Sequence, residues 1–231
     1  MEKNLSELED KLGYVFRDKA LLIRSLSHRS FVNEQSDSTL KDNERLEFLG
    51  DAVLNLVLSH ILMEQFLDIN EGHLSKMRAG LVNEKQLAYL AKQIDLGSFV
   101  KLGKGEIQTD GRKKKSILSD TLEAVIASVY LDGGINTAFK LIESLFSSIL
   151  TLKSNQLIIK DYKSDLQELC QLKYKETPKY KMIEDIGPDH DKTFVIQVSV
   201  GNITTTGVGK SKKKAEQDAA SKILELIKEK L

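Results

Sequence analysis

The sequence predicts an all-α domain over residues 1–150, a short linker at 151–160, and a small α+β module (helix, three strands, helix) over 161–231. Three observations carry that prediction. Apolar residues recur at helical spacing through most of the first part, where no strand of any length can be placed. In the last part Phe194, Ile196, Val198 and Val200 alternate with Val195, Gln197 and Ser199, the period of a half-buried strand. Between them, Thr151–Lys160 loses the helical period.

Taken in order, Asp18 is placed to cap a helix over Lys19–Leu26, and Asp42 or Asn43 to cap a long one from Glu44 to about Gln65. Helical patterning resumes at Glu71, with a break expected at Asn83. Glycines at 97, 103, 105 and 111 among polar residues argue for loops or short extended pieces. A further helix spans about Ser116–Leu131, stopped by Asp132-Gly133-Gly134, and an amphipathic one covers Ile135–Leu150. In the module, Tyr162–Tyr174 reads as a helix with Leu166, Leu169 and Cys170 on one face. Tyr180–Ile186 and Ile203–Val208 flank the Phe194–Val200 strand, with turns at Gly187-Pro188 and Gly201-Asn202. Lys212–Lys230 closes as a helix with Ala215, Ala219, Ile223, Leu226 and Ile227 inward.

Composition narrows the class more than the function. Hydrophobic content of 41% and charged content of 29% are those of a globular protein. The longest nearly apolar run, Ala52–Met63, is interrupted by Asn55, Ser59 and His60 and is shorter than the roughly 20 residues a membrane span needs. Met1–Asp10 carries four acids and no apolar core, so no signal peptide is expected. With one cysteine, Cys170, there is no internal disulfide, and a cytoplasmic location is expected. Net charge is zero, with about +2 on residues 160–231 and −2 on the rest, so a polyanionic partner has to be sought in local clusters.

The acids are arranged more tellingly. In Asn43-Glu44-Arg45-Leu46-Glu47-Phe48-Leu49-Gly50-Asp51 the three acids fall within roughly 60° of helical arc, on a helix that continues Ala52-Val53-Leu54. A second apolar helix repeats the device with Asp120 and Glu123. Unpaired acids are costly to bury, so these either meet cations or stay at a solvent edge. Spacing alone leaves a solvated face, with Arg45 and Arg78 as partners, and a divalent-cation site about equally open. Magnesium, held by few carboxylates together with water and phosphate oxygens, suits such a set.

The nine residues Asn43–Asp51 resemble the hallmark of the ribonuclease III family, and Ser119-Asp120-Thr121-Leu122-Glu123-Ala124 resembles its second acidic motif. Ser27-His28-Arg29-Ser30 and Glu71-Gly72-His73-Leu74-Ser75 resemble flanking patterns, and the tail is similar to a double-stranded-RNA-binding domain. The resemblance implies a metal site of Glu47, Asp51, Asp120 and Glu123, with Asp51 and Glu123 the most critical for hydrolysis and Glu44 and Glu71 helping near the RNA path. It implies Mg2+, for which Mn2+ can substitute, and no organic cofactor. The activity implied is endonucleolytic hydrolysis of double-stranded precursors, rRNA among them, to 5′-phosphate and 3′-hydroxyl ends with short 3′ overhangs. One nuclease domain per chain then requires a homodimer, and Phe48 resembles the interface aromatic, the other reading being a plain core residue. A duplex-binding protein without activity and a helical phosphohydrolase of small nucleotides are the rivals. The four acids weigh against the first and the tail against the second.

In the tail, Ser211 is a good N-cap, yet Lys212, Lys213 and Lys214 follow it, against the helix dipole. An anion at that end, such as an RNA phosphate, makes sense of the placement. The resemblance adds minor-groove contacts from Gln167, Glu168 and Gln171, and from His190 in the Gly187–His190 connection; Asp165 stands where it would lead one to expect a polar amide. Gly209-Lys210-Ser211 imitates a phosphate-binding loop, but Thr204 occupies the place of its first glycine. The four histidines have no zinc spacing. His28 reads as a structural hydrogen-bonder, and Arg112-Lys113-Lys114-Lys115 as either a solvated loop or an RNA-backbone contact.

Overall fold

A computed structural model describes residues 4–67, 69–156, 162–188 and 191–228. It divides into two compact units, Met1–Leu152 and Lys153–Leu231.

The first unit is built on a buried helix. α1 spans Leu5–Leu12, α2 Lys19–Ser25, α3 Arg29–Val32, α4 Glu44–Gln65, α5 Glu71–Leu81, α6 Glu84–Gln93, α7 Lys104–Gln108, α8 Lys115–Gly133 and α9 Ile135–Gln156. α8 is apolar on nearly every side, with Leu122, Ala124, Val125, Ile126, Ala127 and Val129 fully buried, and α2, α4 and α6 pack around it. Where the sequence left two caps open for α4, Asp42 accepts the Glu44 N–H at 3.2 Å, while the buried Asn43 turns its amide to the Ser25 carbonyl. Asn83 makes the expected break: its Oδ1 accepts from Gln86 N at 2.9 Å to start α6, and its Nδ2 donates to the Gly80 carbonyl at the end of α5.

Three expectations need correction. The 95–111 stretch, expected as loops or extended pieces, is two 3₁₀ turns (Leu96–Ser98 and Gly111–Lys113) and the short α7, with one bridge between Ser27 and Lys101. α9 runs through Gln156, into the expected linker, because 151–156 lack the glycine or proline that would stop it. Residues 157–161 lie outside those described. Finally, α4 is long and apolar enough to cross a membrane by length and composition, with a mean hydropathy of 1.5, because its polar interruptions are too sparse to lower the average. In this unit it is a core helix: Leu54, Leu58 and Leu62 are buried.

The second unit places α10 (Tyr162–Tyr174) and α11 (Lys212–Lys228) on one face of an antiparallel sheet ordered β1 (Lys179–Ile186), β2 (Thr193–Val200), β3 (Ile203–Gly209). Val198 and Val200 of β2 meet Leu166 and Cys170 of α10 and Ala219, Ala220 and Ile223 of α11 in its core. A Cβ at Gly207 would overlap the α11 backbone at Ala215 and Ala219, so glycine there lets β3 lie flush against the helix.

Candidate active site

The site forms where α4 crosses α8. Gly50 sets the approach: a Cβ there would overlap the Glu123 carbonyl, so only a glycine lets the two backbones come this close. Leu46, Ala124 and Ala127 fill the crossing beneath. α4 supplies Glu47 and Asp51, and α8 supplies Asp120 and Glu123. One carboxylate oxygen from each of Glu47, Asp120 and Glu123 lies within 4.8 Å of the other two, and all three residues are half-buried.

Burial and mutual repulsion act on all three acids. Burial, then the charges of Asp51, Asp120 and Glu47, push the Glu123 carboxyl up to about 8. Burial followed by the charges of Asp120, Glu44 and Asp51 raises Glu47. Burial raises Asp120 as well, with Glu84 as the chief charge and Ser119 opposing by donating to its Oδ1 at 3.1 Å. None of these three acids nor Asp51 makes an ion pair among the described residues. A set of hard oxygen donors, crowded and without a counter-ion, fits a divalent cation of the magnesium or manganese type. Asp51 is set apart from the close trio, exposed, with its Oδ1 accepting from Asn55 Nδ2 at 2.7 Å.

Comparison with known proteins decides what this arrangement belongs to. The Ribonuclease-III-like family description matches residues 18–150, and the double-stranded RNA binding motif matches residues 162–227. The chain is 49% identical to the Ribonuclease 3 of Syntrophobacter fumaroxidans over 96% of its own length and 94% of that protein's. It belongs to the ribonuclease III family. The Ribonuclease 3 of Caldanaerobacter subterraneus is 47% identical over 95% of this chain and 96% of its own. A solved nuclease domain of ribonuclease III from Campylobacter jejuni, described for structural flexibility in a region involved in dimer formation, superposes with a TM-score of 0.57 at 45% identity. It covers 62% of this chain and 99% of its own. The chain is a ribonuclease with a double-stranded-RNA-binding domain, and the acid cluster is its candidate metal centre.

Within this ribonuclease III chain the remaining expected residues fall as follows. Glu44 is exposed at the start of α4 and pairs with Arg29 at 3.2 Å, and Glu71 accepts from Ser75 Oγ at 2.9 Å on α5. Neither belongs to the close trio. Phe48 is 81% exposed, which removes the plain-core alternative. Leu56 and Met63 continue its stripe along α4 at 62% and 58% exposure. Gln167, Glu168 and Gln171 are exposed on α10. Lys212, Lys213 and Lys214 are exposed on the first turn of α11, where Lys214 N donates to Ser211 Oγ at 3.3 Å. His190 lies outside the described residues.

Two alternatives left open by the sequence are resolved locally. His28 caps α3 through Nδ1, which faces Ser30 N at 3.2 Å and Ser30 Oγ at 2.8 Å, and burial lowers its pKa. Arg112 Nη1 points at the carbonyls of Gly97, Ser98 and Val100 at 2.7–3.0 Å, Lys113 pairs with Asp110 and Lys114 with Glu106. Most of that basic run therefore holds its own loop together. Two residues that shape the site carried no sequence signal of their own: Gly50, inside the acidic motif, and Asn55, one of the interruptions in an apolar run.

Proposed function

We propose that this ribonuclease is an endonuclease that hydrolyses phosphodiesters on both strands of duplex RNA. It works as a cytoplasmic homodimer with magnesium, for which manganese can substitute. Its products carry 5′-phosphate and 3′-hydroxyl ends with short 3′ overhangs, and its substrates include precursors of rRNA. The observation that carries this is the gathering of unpaired carboxylates from two packed helices in a chain that also carries a double-stranded RNA binding motif. Glu47, Asp51, Asp120 and Glu123 would hold the cation, which supplies charge stabilisation at the phosphate and a more acidic water. The α4–α8 crossing fixes these side chains on rigid elements, and the exposed Glu44 and Asp51 mark the side on which the RNA backbone can approach. Glu44 and Glu71 act there as helpers.

Lys212–Lys214 hold a phosphate at the N-terminus of α11, while Gln167, Glu168, Gln171 and His190 supply minor-groove contacts that read A-form shape. One acid cluster per chain serves one strand, so the second strand calls for a second copy. The exposed apolar stripe of Phe48, Leu56 and Met63 is the surface that a two-fold contact would cover. A plain RNA duplex incubated with the purified chain should be cut with Mg2+ and left intact with a chelator. Equal cutting in both would contradict the metal reading, and no cutting in either would leave only a duplex-binding protein.

A further inference from the structure

The acid set apart from the trio has a neighbour that is not an acid. Asn55, one turn beyond Asp51 on α4, donates from Nδ2 to Asp51 Oδ1 at 2.7 Å and to the Asp51 backbone carbonyl at 2.9 Å. An amide carries two hydrogens on that nitrogen, so both bonds can be made at once. The carbonyl belongs to the helix and cannot move, so it orients the amide, and the amide in turn fixes the carboxylate. Ser119, beside Asp120, offers no equivalent: its single hydroxyl proton is shared between Asp120 Oδ1 at 3.1 Å and the nearer Ser116 carbonyl at 2.8 Å. Because the amide is neutral, it restrains Asp51 without cancelling its charge. That charge still reaches the cluster, where it is the largest of the neighbouring charges acting on Glu123.

We propose that Asn55 is a positioning residue of the active site, holding one oxygen of Asp51 so that the other is presented to the cation. The inference rests on Asp51 belonging to the metal site, as proposed above. Hydrogen-bond partners of this kind orient the ligand carboxylate, and their loss costs roughly 10–100-fold in metal affinity or activity.

The test is calorimetric titration of the full-length protein with Mg2+ in the absence of RNA, paired with single-turnover duplex cleavage over a range of Mg2+ concentrations. Asn55→Ala should weaken Mg2+ binding about 10-fold or more and raise the Mg2+ needed for half-maximal cleavage to match. Its affinity for duplex RNA should stay unchanged. Asn55→Ser should behave like alanine, since a serine hydroxyl at this spacing returns to the carbonyl four residues back and leaves the carboxylate alone. Asn55→Gln, which keeps the amide donor, should restore most of the loss. Alanine is the better helix former, so Asn55→Ala should fold, and a thermal melt checks it; the serine variant carries the same comparison should it fail. Wild-type Mg2+ binding in both Asn55→Ala and Asn55→Ser, alongside loss of binding in Asp51→Asn, overturns this inference alone. Wild-type binding and cleavage in Asp51→Asn overturns the metal site itself. A change confined to RNA affinity would assign Asn55 to the duplex rather than to Asp51, and so overturns it too.

Discussion

Burial and three neighbouring acids push the Glu123 carboxyl up to about 8 when no metal is bound. In the unfolded chain the same group titrates near 4.3, to within about a unit. The folded protein therefore binds a proton that the unfolded chain has released, and this part of its stability, fully present below about 4.3, is lost as pH rises through about 8. Glu47 and Asp120, also raised, add to the loss in the same direction. In the presence of a chelator the melting temperature should fall as pH is raised from 6 to 9, and Glu123→Gln, which has no proton to lose, should fall less steeply while binding RNA but not cleaving it. Parallel melting curves for the two proteins would show that Glu123 is not crowded in this way. The arc of Glu44, Glu47 and Asp51 was legible because helical period alone puts them on one side. The standing of Asp51 apart from the trio was not, and Asn55, whose amide donates to it from one turn away, reads in sequence as a mere interruption. Arg112 was equally opaque: its three carbonyl partners come from a loop folded back over it, which no local pattern reports.

At the scale of elements, strong punctuation was legible and weak punctuation was not. Asn83, Asp18 and Ser211 announced their helices because each has a short side chain able to cap. α1 escaped notice although Asn4 caps it and Gly13, at φ 63°, ends it, because its eight residues bury only one side and carry four charges. The far end of α9 escaped because loss of apolar period marks loss of packing, not loss of helix. α11 is where an element's sequence works against its own stability: three lysines occupy its positive end, exposed and, among the described residues, without an ion pair. Replacing Lys212, Lys213 and Lys214 with alanine should relieve that conflict while weakening duplex binding across sequences. The log–log salt dependence, read by fluorescence anisotropy, should flatten by up to about 0.9 for each phosphate no longer neutralised, on B-DNA calibration. An unchanged slope would show the lysines to be only solvated.

The whole molecule couples a rigid acid-bearing unit to a separate RNA-holding unit, and the sequence made that division visible through the change from helical to two-residue period. It could not show which apolar residues of α4 face outward, because a helix buried along most of its length and one with an uncovered stripe have nearly the same composition. Phe48 illustrates the point: it lies between Glu47 and Asp51 in sequence yet points into solvent, about 100° around the helix from Glu47. The proposed homodimer places that stripe against its own copy and so brings two acid clusters to one duplex, one for each strand. The measurement that tests this most directly is strand-resolved cleavage of an RNA duplex by Phe48→Glu, with its mass followed by light scattering. The variant keeps every acid of the cluster, so it should be a folded monomer that makes at most single-strand nicks, while the wild-type dimer releases fragments with staggered ends. A monomeric variant that still releases fragments with staggered ends at the wild-type rate would contradict the two-site account.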